Sequence, residues 1–189
     1  MESFTVIYDA CVLYPAYLRD LLVRLAITGL FRAKWTEQIQ EEWIGNLLKN
    51  RPDLSPERLD RTRRKMNQYV SDSLVTHYES LIESLTLPDP KDRHVLAAAI
   101  RANASVIVTY NLSDFPLEIL EKYGVEAQHP DEFLTDLLNL NPWEFCHAVR
   151  MQRESLKNPP QSAEEMLAAF EIQRLPRLVA HLKEMIRLL

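Results

Sequence analysis

The chain is short of glycine and of cysteine, and both shortages narrow what it can do. Its 189 residues contain three glycines, so a glycine-rich loop cradling a nucleotide phosphate is excluded. So few glycines also suit a helix-rich chain. The two cysteines, Cys11 and Cys146, form no CxxC pair and no spaced framework. That excludes a disulfide scaffold and a thiolate zinc site, and fits a reducing compartment. The five histidines show no His-His or His-Cys ligand spacing. Basic charge is not in excess either, with 22 Lys and Arg against 27 Asp and Glu and a net charge of −5. This argues against a constitutively basic nucleic-acid binder, but not against a local basic patch or a metal among acids. No apolar run is long enough to span a bilayer, and no charged leader precedes an apolar one. The expectation is a cytoplasmic protein with no membrane partner.

What is present is an apolar fraction of 47%, enough for one domain with an appendage. "FTVIY" (4–8) reads as a buried strand, and "PAYLRDLLVRLAITG" (15–29) as a helix opened by Pro and closed by Gly. "LFRAKW" (30–35) reads as a short strand. "TEQIQEEWIGNLLKN" (36–50) reads as a helix capped by Thr36, and "SPERLDRTRRKMNQYVSDSL" (55–74) as one capped by Ser55. "LIESLTL" (81–87) is a candidate strand. "DPKDRHVLAAAIRAN" (89–103) is the clearest helix and "ASVIVTY" (104–110) the clearest strand. A short helix over 116–124 and a strand over 125–128 follow. Alternating strands and helices imply a parallel sheet with helices on both faces. After residue 130 only helical patterns occur, joined by the Pro-rich "KNPPQS" (157–162). The chain therefore divides into an α/β body over 1–129 and a helical C-terminal extension over 130–189.

In an open parallel sheet, ligands bind beyond the carboxyl ends of the strands. Asp9 ends the first strand and has apolar neighbours on both sides. Asn111 and Asp114 follow the strand 104–110, Asp89 and Asp92 open the clearest helix, and Glu41 and Glu42 lie early in the helix after the second strand. Four segments can thus deliver acids to one edge. Clustered carboxylates repel unless a divalent cation sits among them, and an all-oxygen set suits Mg²⁺ or Mn²⁺. Such an ion can activate water for in-line attack on a phosphodiester. Each acid also has a local explanation. Asp89 and Asp92 could cap a helix, Asp114 could start the helix at 116, and Glu41 and Glu42 could face solvent. Helical periodicity does not choose between Glu41 and Glu42.

The order "VIYDACVLYP", "WTEQIQEEW", "LPDPKDRHVLAAAI", "VIVTYNLSDFP" resembles the PIN-domain family over about residues 4–130, above all the VapC-like toxins of prokaryotic toxin–antitoxin pairs. The resemblance implies a three-layer α/β/α fold around a central parallel sheet. It implies a Mg²⁺- or Mn²⁺-dependent endoribonuclease that leaves 5′-phosphate and 3′-hydroxyl ends, and a cognate protein antitoxin as partner. By motif, Asp9, Glu42, Asp92 and Asp114 match the family's catalytic and metal-holding acids. Glu42 matches because it lies six residues after Thr36. Thr109 and Asn111 match residues that support the last turn, and Asp89 an accessory acid. Many relatives carry Asn two residues after the first Asp, where this chain has Cys11. Cys11 reads as a small buried residue, not a nucleophile.

Competing readings are a non-catalytic PIN scaffold that binds RNA or protein, and another metal phosphohydrolase. A dehalogenase-type enzyme would need a second Asp where Cys11 stands. The run Arg58, Arg61, Arg63, Arg64 and Lys65 could grip an RNA backbone, but a solvated helix face explains it as well. Arg19, Arg24, Arg32 and Lys34 are in the same position. His94 reads as packed, and Trp35 and Trp43 as core. The stripe Leu182, Met185, Ile186 and Leu189 could pack on the body, meet an antitoxin, or join two copies as a homodimer. Packing on the body is the default.

Overall fold

Four short strands pair side by side, and all of them run the same way. The computed structural model describes residues 4–189. In chain order the elements are β1 (Thr5–Tyr8), α1 (Ala10–Leu13), α2 (Ala16–Ile27), β2 (Arg32–Lys34), α3 (Glu37–Asn50), α4 (Pro56–Tyr69) and α5 (Glu79–Ile82). Then come α6 (Arg93–Arg101), β3 (Val106–Val108), α7 (Leu117–Leu120), β4 (Glu126–Gln128), α8 (Pro130–Leu140), α9 (Pro142–Ser155), α10 (Ala163–Ile172) and α11 (Pro176–Glu184). The sheet order is β2-β1-β3-β4 and every pairing is parallel. Val6 and Ile7 of β1 sit between Ala33 and Lys34 on one side and Val106 and Ile107 on the other. Both central strands are fully buried, as apolar runs between two helical layers must be. This is the expected α/β/α arrangement with a C-terminal set of helices.

Local chemistry explains where the helices start. Thr36 Oγ1 accepts from the Ile39 N–H at 3.0 Å, and Ser55 Oγ from the Arg58 N–H at 3.2 Å. Pro56, Pro130, Pro142 and Pro176 each stand in a first turn, where their missing N–H costs nothing. One expectation fails. Residues 81–87 are not a strand: Glu79–Ile82 form the single turn α5. The N–H groups of Leu81, Ser84 and Leu85 are spent on local turns to Tyr78, Leu81 and Ile82. Leu85 and Leu87 are buried, so these apolar residues anchor irregular chain. The sheet edge beside β2 is met by Leu74, which bridges Trp35.

The C-terminal helices share the body's core. Phe133 of α8 packs edge-on against Tyr8 and Phe31, with ring centroids 6.3 and 5.4 Å away. Gln152 of α9 donates to the Tyr17 carbonyl of α2 at 2.8 Å. Of the terminal stripe, Leu182 and Leu189 are buried while Met185 and Ile186 are partly buried against the core. Trp35 and Trp43 are core residues, as expected. No helix among the described residues is long and apolar enough to cross a membrane.

Candidate active site

Asp9 leaves the sheet at the carboxyl end of β1, between β2 and β3. Its N–H still donates to the Val108 carbonyl at 3.1 Å, so the main chain is held where the side chain turns outward. The carboxylate is 5% exposed. Oδ1 accepts from the Ala10 N–H at 2.7 Å and so caps α1. Oδ2 accepts from the Thr109 hydroxyl at 2.7 Å and the Cys11 thiol at 3.1 Å. These donors favour the anion, but burial outweighs them and raises the Asp9 carboxyl, with the Glu42 charge adding to the rise. Thr109 in turn accepts from the Asn111 N–H at 3.0 Å, which ties the end of β3 to the turn after it. Burial, then the adjacent Asp9, pushes the Cys11 thiol up to about 12. Cys11 is therefore a thiol that donates to Asp9.

Asp89 and Asp92 divide the roles that local sequence left open. Asp89 Oδ1 accepts from the Lys91 N–H at 2.9 Å and is a cap. Asp92 makes no cap bond at the start of α6. Its carboxyl is raised to about 6, by burial first and then by the charges of Asp9, Asp89 and Asp114. Asp114 makes no cap bond either, since α7 begins after Pro116. Glu42 and Glu41 also separate. Glu41 is exposed, whereas Glu42 Oε1 lies 2.9 Å from Nε2 of His94. His94 is 2% exposed and neither ring nitrogen is aligned for a hydrogen bond, so this contact fixes Glu42 by close packing.

Asp9, Glu42 and Asp92 open on one cleft of about 370 Å³, with Ala10, Cys11, Tyr14, Asn46, Asn50 and Asn111 as its other walls. Asp114 does not line it, although its charge reaches Asp92. Among the described residues, no Lys or Arg forms an ion pair with Asp9, Asp89, Asp92 or Asp114. Nor do three His, Cys, Asp or Glu stand close enough together to grip one ion as they are. The acids ring the cleft, as mutually repelling charges would, and their all-oxygen donor set suits a hard divalent cation. Asn46 and Asn50 were not foreseen. Their signal was available, because Glu42, Asn46 and Asn50 recur every four residues along one face of α3.

Two family profiles match the chain. One described as "PIN domain" covers residues 5–113, and one described as "VapC50 C-terminal domain" covers residues 130–184. A relative from Mycobacterium tuberculosis (strain ATCC 25618 / H37Rv), named "Putative ribonuclease VapC50", is 40% identical over 90 residues. That stretch is 48% of this chain and 53% of the relative, so the chain spans about half the length of the curated relative it matches. No solved structure matches the chain. With a parallel sheet whose carboxyl edge carries the acids, and a profile match over most of the body, the chain belongs to the PIN-domain family, in its VapC-like branch.

Proposed function

We infer that the protein is a metal-dependent endoribonuclease, the toxin of a type II toxin–antitoxin pair. One observation carries this reading: Asp9, Glu42 and Asp92 meet at a single cleft at the sheet's carboxyl edge, and among the described residues no Lys or Arg pairs with Asp9 or Asp92. These three, with Asp114 near Asp92, would hold Mg²⁺ or Mn²⁺, which supplies an activated water and charge stabilisation for phosphodiester hydrolysis. The chain's own part is preorganisation. Thr109, Cys11 and the Ala10 N–H fix Asp9. His94 bounds the position of Glu42, and Asn46, Asn50 and Asn111 offer neutral hydrogen-bonding walls to a substrate. RNA is the substrate and a cognate antitoxin the controlling partner. An antitoxin arginine could meet the same acids, because a guanidinium pairs with carboxylates in two-pronged fashion.

The test is cleavage of transfer, ribosomal and messenger RNA by purified, antitoxin-free protein in Mg²⁺, Mn²⁺ or EDTA. Cleavage that needs metal and vanishes in Asp9→Asn is expected. A folded protein that binds metal yet cleaves none of the three would be a binding scaffold instead.

A further inference from the structure

The acid cleft is the end of a longer trough. Tyr14 lines both the cleft and a second cavity of about 510 Å³ that runs over α2, α3 and α4. Ala16, Arg19 and Thr62 then join this cavity to a third, of about 230 Å³, which reaches Lys65 and Tyr69. The far wall comes from one face of α4, since Arg58, Thr62, Lys65 and Tyr69 recur at helical spacing. Gln173, from the turn after α10, closes the trough on the other side. That turn is pinned to the catalytic edge, because the Tyr110 hydroxyl donates to the Gln173 carbonyl at 2.7 Å.

Charge changes sign along the trough. Elsewhere on α4, Arg63 pairs with Asp60 and Glu37, and Arg64 with Asp60, while Arg61 stands exposed off the trough. Arg58 and Lys65 face the trough, and among the described residues neither forms an ion pair. Arg19 donates only to the Leu13 and Tyr14 carbonyls, at 2.6 and 3.1 Å, and lies 4.3 Å over the Trp43 ring. The nearby Asp20 is held by Arg24 at 3.0 Å. Two tyrosines punctuate the path. Tyr14 is oriented by Asn50, which donates to its hydroxyl at 3.2 Å, and Tyr69 is 56% exposed. Unbalanced cations alternating with aromatic faces are what a single nucleic-acid strand requires, because phosphates meet the cations and unstacked bases meet the rings.

We propose that this trough binds single-stranded RNA leading to the acid cleft, with Arg19, Arg58 and Lys65 on phosphates, Tyr14 and Tyr69 under bases, and the C-terminal helices supplying a wall through Gln173. This rests on the nuclease reading and extends it to the form and path of the substrate. A duplex would not fit, because its bases are already stacked on one another.

The experiment is fluorescence anisotropy on the full chain carrying Asp9→Asn, in EDTA, with a labelled RNA strand of about 12 nucleotides or the matching duplex. Adding Arg58→Ala and Lys65→Ala should weaken strand binding roughly tenfold and flatten the salt dependence of log K by about 1.4, ~0.7 per lost phosphate contact. Tyr69→Ala should weaken it about fivefold, the cost of one lost stacking contact. Arg61→Ala together with Arg64→Ala, an equal loss of charge off the trough, should leave both readouts unchanged. Thermal melts establish that each variant is folded. Unchanged affinity and salt slope in the Arg58→Ala, Lys65→Ala protein would overturn the proposal, as would equal affinity for strand and duplex; the trough would then serve a protein or nothing. If the wild type cleaves no RNA but the trough variants still lose affinity and slope, the trough stands and the nuclease reading falls.

Discussion

Asp9 and Asp131 are both 5% exposed, yet they sit in opposite environments. Asp131, in the first turn of α8, accepts from the N–H groups of Arg177 and Leu178 at 3.0 and 2.9 Å. It caps the start of α11, a helix more than forty residues downstream, where unpaired N–H groups favour an anion. Asp9 also has three donors, but it faces Glu42 and shares a cleft with Asp92. One buried acid finishes a fold. The other is held among further acids, which a fold alone gains nothing from. A buried carboxylate is therefore diagnostic of function only when its surroundings leave it uncompensated.

The sharpest way to break this contrast is to neutralise each acid. Asp9→Asn should lower RNA cleavage by at least about 100-fold while stability changes by less than about 1 kcal/mol, since the lost charge was repelled by its neighbours. Asp131→Ala should do the opposite. It strands two N–H groups at the start of α11 and should cost about 2–3 kcal/mol in urea unfolding, with cleavage by the folded fraction retained. If Asp9→Asn unfolds the protein and Asp131→Ala does not, the two acids have been assigned the wrong way round.

Within the cleft, Glu42→Gln should reduce cleavage about 10-fold or more, whereas Glu41→Gln should stay near wild type, because only Glu42 lines the cleft. Equal losses would show that α3 turns to offer either acid.

The smallest effect is on pH dependence. Asp92 is raised to about 6, from near 4 for a free carboxyl, so between those values the folded chain binds more protons than the unfolded one. Stability from this group is thus lost as pH rises from about 4 to 6 and stays lost above that. Burial raises Asp9 in the same direction. The metal-free protein should melt higher at pH 5 than at pH 7.5, by a margin that shrinks in Asp92→Asn and narrows when Mg²⁺ is added. A margin unaltered in Asp92→Asn would mean that the acids do not sense each other.

Much of the site was legible because the fold rule is simple. A strand followed by an acid places that acid at the sheet's carboxyl edge, so Asp9 and the turn holding Asn111 and Asp114 could be placed from "VIYD" and "VTYNLSD". Thr109 was legible as a support, although its partner Asp9, one hundred residues away, was not. The strand reading of 81–87 failed because apolar residues report which side chains are buried, not whether the backbone finds a ladder. Tyr14, Asn46 and Asn50 were missed because neutral residues announce no chemistry until a neighbouring element turns them toward an acid.

By itself the sequence determined the local events: the caps at Thr36 and Ser55, the prolines that open helices, the buried runs of β1 and β3, and an acid after each. These depend on contacts within a few residues, which any chain with the same stretch would make. Only the tertiary structure decided which acids remain without a counter-charge. It gave Asp131 a helix terminus and Glu42 a place in the cleft beside His94, and it left Asp9 and Asp92 facing each other's charge. A carboxylate's energy is set by everything within several ångströms of it, and most of that neighbourhood arrives from distant parts of the chain.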